Sequence, residues 1–416
     1  MFVYPNRTSN FMQAFLTRFR VLYSDSRFRV LFFLNLLLGF AYSFVVPFMS
    51  MFGIQEIGMS KMQFGLFMTM NAVGGILIGT VLARYSDTHF SRRSMMLWGG
   101  VAGCIGYASY AYVSSFIALV AIGTVVIGLS TITFAQLFAY AREVLKTSDI
   151  DESKQVFYMN VFRMYFALAW TIGPAVAAWV MTQFSIRGLF IFAATNFALF
   201  TLVVARYIPA APPPFALQAA QSLQSRSWLF KRLDLLAHLA ALAMIYATVS
   251  MGMSNLPLYI LETLHGTKTN VGFAYSIAPV FELPMMIYFG WLATKRDSAT
   301  LLRGGMVVAI AYYGVLSLTS HPWQIYLCQI LSAAMVAIVF GVAITYFQSH
   351  LPHHPGIATN LYANANRIGS TTGYFLFGIV SEQFSYSAVF VVCLIFSIGG
   401  FLLMLAPVNV PANERA

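Results

Sequence analysis

Tyr158-Met159-Asn160-Val161-Phe162-Arg163 and Tyr362-Ala363-Asn364-Ala365-Asn366-Arg367 place the same Tyr-x-Asn-x-x-Arg pattern twice in one chain, each time inside a long apolar stretch. Asn and Arg three residues apart share a helix face, so each copy aims an amide and a guanidinium the same way. A cation at membrane depth is costly and normally faces a bundle interior or a watery cavity. The repeat therefore suggests a duplicated architecture with a charge set into each copy.

Composition fixes the class around these two segments. Of the 416 residues 59% are hydrophobic and only 9% charged, against roughly 45–50% apolar and roughly 25% charged in soluble domains. The chain reads as an all-α polytopic membrane protein. Apolar runs of about 20 residues, enough to cross a bilayer, occur twelve times, near 29–52, 62–84, 95–114, 117–141, 155–183, 186–207, 232–262, 269–293, 301–319, 323–350, 355–381 and 386–407. A strand-built barrel would need alternating segments of about 10 residues, and these are not written here.

The cations sort by loop. The N-terminal tail to Arg29, the loops after spans two, four, six and eight, and the last tail together hold 19 of the 24 Lys and Arg. The opposite loops carry Lys61, Arg187 and Lys268, and the remaining two cations are Arg163 and Arg367. By the positive-inside rule both termini are expected in the cytoplasm of a bacterial inner-membrane protein. The net charge of +11 is then a topology signal. No basic, aromatic-interleaved polar face points to nucleic acid.

The first 28 residues lack the order of charge, apolar core and cleavage site of a signal peptide. Phe11, Phe15 and Phe19 with Met12 and Leu16 fall at helical spacing, which fits either a short helix on the inner leaflet or a disordered tail. Cys104, Cys328 and Cys393 sit in apolar runs without CxxC or His spacing, as core filler rather than disulfide or metal ligands. His350, His353 and His354 lie at a loop without a neighbouring Cys or carboxylate ligand, and no metal site is expected. A GxxxxGK[ST] loop is missing as well, so neither ATP nor any other cofactor is implied.

Between spans six and seven, Pro209 to Pro214 and a Gln-, Ser- and Ala-rich stretch form an extended connector. The expected division is a tail at 1–28, six spans over 29–207, a cytoplasmic linker at 208–231, six more spans over 232–407 and a tail at 408–416. The Tyr-x-Asn-x-x-Arg copies fall in spans five and eleven, corresponding positions of the two halves.

This six-plus-six layout resembles that of major facilitator superfamily transporters, whose substrate sites lie near the midplane between halves. The loop Gly79-Thr-Val-Leu-Ala-Arg84-Tyr-Ser-Asp87-Thr-His-Phe90-Ser-Arg92-Arg93 is similar to the superfamily signature of Gly, Asp, Gly and a basic pair, with Phe90 standing where Gly is usual. Asp87, Arg92 and Arg93, with Arg142 and Glu143 after span four, are the candidate cytoplasmic gating residues, since charge pairing there can latch one conformation. Shorter stretches resemble the bacterial sugar efflux transporter family: Ala135-Gln136 to Arg142-Glu143, Leu168-Ala-Trp170-Thr-Ile-Gly173-Pro174, Asn255-Leu-Pro257-Leu-Tyr259, Glu282-Leu-Pro284, Tyr346-Phe-Gln348 and Ala358 to Arg367. Lys295-Arg296-Asp297 departs from that family's glycine-and-basic run. The resemblance implies proton-coupled export of sugars or sugar analogues by alternating access.

Counted at about 1.5 Å per residue, Arg163, Arg367 and Glu282 lie roughly 12, 18 and 16 Å from the inner ends of their spans. Glu282 is therefore a candidate partner of one or both arginines in at least one state. It reads either as the proton-accepting carboxylate, because burial and a nearby cation push its protonation in opposite directions, or as a permanently ionised tether.

Candidate sugar contacts are the midspan amides and aromatics Asn35, Asn71, Gln136, Asn160, Trp170, Asn255, Tyr259, Gln348, Tyr362 and Asn364, which supply donors, acceptors and stacking surfaces. Each also reads as interhelical glue. Gly173, Pro174, Pro257 and Pro284 are candidate hinges. The 38 Phe and 21 Met leave open an exporter of amphipathic drugs. An intramembrane transferase would need a catalytic His, Asp or Glu constellation that the loops do not contain. A monomer acting on a small solute and protons within the bilayer is expected.

Overall fold

A computed structural model describes residues 25–86, 90–148, 152–210, 232–351 and 355–407. The sequence-based tail helix, Asp87, His353, His354 and most of the linker lie outside these residues. Among the described residues twelve long helices follow one another: α1 (Ser26–Phe48), α2 (Lys61–Ser86), α3 (Arg92–Tyr112), α4 (Phe116–Lys146), α5 (Glu152–Phe184), α6 (Arg187–Tyr207), α7 (Leu233–Thr263), α8 (Lys268–Leu292), α9 (Ser298–Ser317), α10 (Pro322–His350), α11 (Pro355–Gln383) and α12 (Tyr386–Met404). Their ends fall within a few residues of the apolar runs. Ten of these described helices are long and apolar enough to cross a membrane. The exceptions are α3 and α11. Arg92, Arg93, Ser94 and Ser109 with Gly99, Gly100, Gly103 and Gly106 lower the hydropathy of α3, and Asn360, Asn364, Asn366 and Arg367 lower that of α11.

The first six helices pack α1 on α5 and α6, α3 on α6, and α2 and α3 on α4. The last six repeat the pattern, with α7 on α11 and α12, α9 on α12, and α8 and α9 on α10. Small residues permit these contacts: a Cβ on Gly74 would fall 2.2 Å from the Thr124 carbonyl oxygen, and one on Gly373 2.3 Å from that of Ala247. Close backbone approach of this kind is the usual basis of helix association in lipid. Exposed Ile117, Trp179, Leu202, Leu318 and Leu327 form part of the apolar outer surface.

π-helical turns occur at Met51–Glu56 after α1, at Ile122–Ile127 within α4 and at Tyr259–Thr263 closing α7. Such turns often mark functional positions. The two that end α1 and α7 meet across the halves, where Gln55 Nε2 donates to Glu262 Oε1 at 3.0 Å.

The halves touch mainly through α2 with α11 and α5 with α8. Polar contacts between them lie on the side of the odd-numbered loops. The Met62 N–H donates to Glu382 Oε2 at 3.1 Å, Lys61 Nζ stands 4.3 Å from the Tyr386 ring centroid, and the Ala175 N–H donates to Ser276 Oγ at 3.0 Å. A Cβ on Gly65 would lie 2.6 Å from the Gly378 Cα, and one on Gly272 2.7 Å from the Pro174 carbonyl oxygen. Towards the even-loop side Gly79, Gly290 and Gly356 have open space where a Cβ would be, and Ile287, Tyr288 and Trp291 are exposed. Among the described residues the close backbone contacts between the halves gather towards the odd-loop end of the interface, the sealed end.

Candidate transport site between the halves

A cavity of about 160 Å³ lies just below the seal, walled by Trp170 of α5, Met253 and Leu256 of α7, Tyr275 and Glu282 of α8, Tyr312 of α9, and Gln329 and Ser332 of α10. Two buried donors in this wall, Trp170 Nε1 and Gln329 Nε2, have no hydrogen-bond partner among the described residues. Leaving a buried donor unpaired costs about 1–3 kcal/mol, so a solute offering acceptor oxygens is favoured here. Glu282 supplies a carboxylate to the same wall, and Tyr312 stands beside Ser332 and Gln329.

Glu282 and Trp170 are the sequence candidates that the fold brings to this cavity. Glu282 has no ion-pair partner among the described residues. Measured from the Gly272–Pro174 contact, ten residues along α8 reach Glu282 and eleven along α5 reach Arg163, so both stand about 15 Å from the seal. No ion pair joins them in this conformation.

Most of the other amides and rings are engaged within the bundle. Asn35 Nδ2 donates to the Phe162 carbonyl at 2.5 Å, tying α1 to α5. Asn255 Nδ2 donates to the Tyr386 carbonyl at 2.8 Å, and the Tyr259 hydroxyl donates to the Thr319 carbonyl at 2.8 Å. Asn71 Nδ2 faces the Tyr110 hydroxyl at 3.4 Å, beside the π-helical turn of α4. Gln348 Nε2 donates to Thr359 Oγ1 at 3.1 Å. Tyr362 meets Tyr246 edge-on with centroids 6.1 Å apart. The Asn160 side chain lies outside the described residues, whereas Asn364, Arg367 and Arg163 are exposed.

Near the even-loop surface Arg92 Nε donates to Glu143 Oε1, while Arg92 Nη1 reaches Gln136 Oε1 at 3.1 Å. This joins the start of α3 to α4 within the first half and ties Gln136 to that pair rather than to the cavity. Arg93 Nη2 donates to the Ala205 carbonyl at 2.8 Å, and Arg142 is exposed. Among the hinge candidates, Gly173 allows close packing on Ser43, Pro174 and Pro257 are buried, and Pro284 is exposed. Gln329, Tyr312, Ser332 and Tyr275 are wall residues that sequence reasoning misses. Gln329, an amide inside an apolar run, is the one signal that points to them.

The Major Facilitator Superfamily model matches residues 31–370 and 238–416. The chain belongs to this superfamily. It is a membrane-spanning transporter of small solutes and not an enzyme. It is 31% identical to a relative from Deinococcus radiodurans over 89% of this chain and 95% of that one. It is also 29% identical to sugar efflux transporter A of Dickeya chrysanthemi, over 92% and 95% of the two chains, and 29% identical to sugar efflux transporter C of Escherichia coli, over 85% and 89%. Its fold is similar to that of the nucleoside transporter NupG, with a TM-score of 0.71 at 14% identity over 90% of this chain and 97% of that one.

Proposed function

We propose that the protein exports sugars or sugar analogues across a bacterial inner membrane by alternating access, in exchange for protons. The observation that carries this reading is the cavity whose wall holds two unpartnered buried donors, Trp170 Nε1 and Gln329 Nε2, together with the Glu282 carboxylate. Hydroxyl oxygens satisfy the donors, and the Trp170 ring offers an apolar face. The names of the curated relatives support the same solute class. At about 160 Å³ the cavity is smaller than the roughly 300–1,000 Å³ of drug-sized pockets, which favours a small solute over an amphipathic drug.

With both termini in the cytoplasm, as the loop charges suggest, the sealed end faces outward. Glu282 is the proposed proton carrier. Protonation and pairing with Arg163 are alternative ways of neutralising it, and rocking of the halves would exchange one for the other. The chain contains both halves and the whole cavity wall, which supports a monomer as the working unit.

Flux of radiolabelled glucose and lactose into proteoliposomes with an imposed pH gradient tests the reading. Gradient-driven accumulation is expected in the wild type, and Glu282→Gln should reduce it at least about tenfold while sparing exchange without a gradient. No flux of either sugar would count against the sugar reading. Loss of exchange along with accumulation would refute a role for Glu282 confined to protons.

A further inference from the structure

His238, in the second turn of α7 at the even-loop end, is the only buried histidine among the described residues. Its Nε2 meets the Ala406 carbonyl oxygen at 3.0 Å, and its Nδ1 meets the Tyr346 hydroxyl. A carbonyl only accepts, so Nε2 carries the hydrogen and the neutral ring offers Nδ1 as acceptor to the Tyr346 O–H. One tautomer thus uses both nitrogens, and the Tyr346 side chain is as fully enclosed as the ring.

Four helices meet at this point. Tyr346 belongs to α10, where His350 Nδ1 donates to its carbonyl oxygen at 2.8 Å and the two rings stand 4.3 Å apart. Ala406 follows α12, and Arg303 Nε of α9 donates to the Met404 carbonyl at 3.1 Å. The end of α12 is therefore held by α7 and α9 through its last carbonyls, groups that have no partner within their own helix. Arg303, His350 and Asp234 are the charged or titratable side chains within electrostatic reach of His238, and Asp297 and Arg232 act on Tyr346 as well. Asp234 pairs with Arg232 at 3.0 Å. α12 brings carbonyls to the cluster, and α11 packs elsewhere on α7, where a Cβ on Gly369 would stand 2.3 Å from the Ala243 carbonyl oxygen.

We propose that this cluster is a pH-sensitive clamp, which holds the even-loop ends of α7, α9, α10 and α12 together while His238 is neutral and releases the end of α12 when it is protonated. A proton on Nδ1 turns an acceptor into a second donor. The Tyr346 oxygen must then accept, its own hydrogen is left without a partner in a closed site, and the new charge stands in the field of Arg303. The clamp is complete above about pH 6.5, the ordinary histidine value, and opens as the pH falls below it. With both termini in the cytoplasm, the pH it reads is the cytoplasmic one. α7, α9 and α10 also wall the cavity with Met253, Tyr312 and Gln329, so loosening their ends reaches the transport site. The clamp itself is independent of the solute carried, whereas its effect on exchange rests on the transport reading above.

The test compares the wild type with His238→Gln, whose amide can donate to Ala406 and accept from Tyr346 but takes up no proton. The unfolding midpoint of the purified full chain in detergent is read from about pH 8 to about pH 5.5, across the histidine range. The wild-type midpoint is expected to fall by about 2–4 °C more than that of His238→Gln, the size of one lost buried hydrogen bond. Equal pH dependence of the two midpoints overturns the clamp. Tyr346→Phe serves as a second variant if His238→Gln does not fold: its midpoint should lie below the wild type at the alkaline end and converge on it at the acid end, and a constant difference overturns the clamp. In proteoliposomes with equal pH on both sides, glucose exchange should fall more steeply with acidification in the wild type than in His238→Gln. Parallel exchange profiles overturn the link to transport. Absence of glucose exchange in the wild type counts against the sugar reading alone, and the midpoints still decide the clamp.

Discussion

The two ends of the interface between the halves use opposite materials. At the odd-loop end Gly65 faces Gly378 and Gly272 faces Pro174, so backbone meets backbone. At the even-loop end α5, α8 and α11 carry Arg163, Glu282 and Arg367, and the helices there have space around them. A glycine contact has few side-chain rotamers to reorganise and separates as a unit, whereas charged groups bind, release and exchange partners. The contrast assigns closure to the small residues and solute or proton handling to the charged ones.

The largest effect is expected from breaking the seal. Gly65→Leu places a branched side chain where the Gly378 backbone stands, and overpacking of this kind costs about 1–3 kcal/mol. The sealed state should lose about ten- to a hundredfold in population. Cysteine accessibility on the odd-loop side would rise and transport would fall. Unchanged accessibility would show that the glycine contact does not set closure.

A smaller effect is expected at the other end. Arg92 and Glu143 form a part-exposed pair, worth about 1 kcal/mol after solvent screening. Arg92→Gln and Glu143→Gln should each lower the unfolding midpoint slightly, with a coupling of that order in the double variant. Strict additivity would mean the pair adds no stability of its own.

The smallest effect is expected away from the interface. Asn255→Leu removes one hydrogen bond between α7 and α12, worth about 0.6 kcal/mol in a membrane bundle. Transport should stay within about twofold, on the order expected for so small an energy. A large transport defect would return Asn255 to the solute site.

The helices are legible in the sequence because membrane spans announce themselves by length and apolarity, and the cations mark one face of the molecule. Glu282 and Trp170 are legible because a carboxylate or an indole inside an apolar run before a Pro is conspicuous. Tyr312 and Ser332 are not, since single polar residues scattered over α9 and α10 give no periodic signal, and only the amide of Gln329 inside its apolar run hints at them. Which carbonyl Asn35 or Asn255 reaches depends on helix pairing, which a linear sequence does not display. The unpaired state of Glu282 likewise reflects how far the halves have rocked, a property of conformation.

The polarity of α11 has a consequence for biosynthesis. A segment with Asn360, Asn364, Asn366 and Arg367 is penalised by several kcal/mol on translocon insertion scales, on the order of 2.5–3.5 for the arginine alone. Its partition into lipid must lean on its neighbours α10 and α12, both strongly apolar. A glycosylation-reporter fusion carrying α11 by itself should insert poorly, and one carrying α10 to α12 should insert well. These polar residues thus burden the chain as it leaves the ribosome, where one reluctant helix must be held between two willing ones.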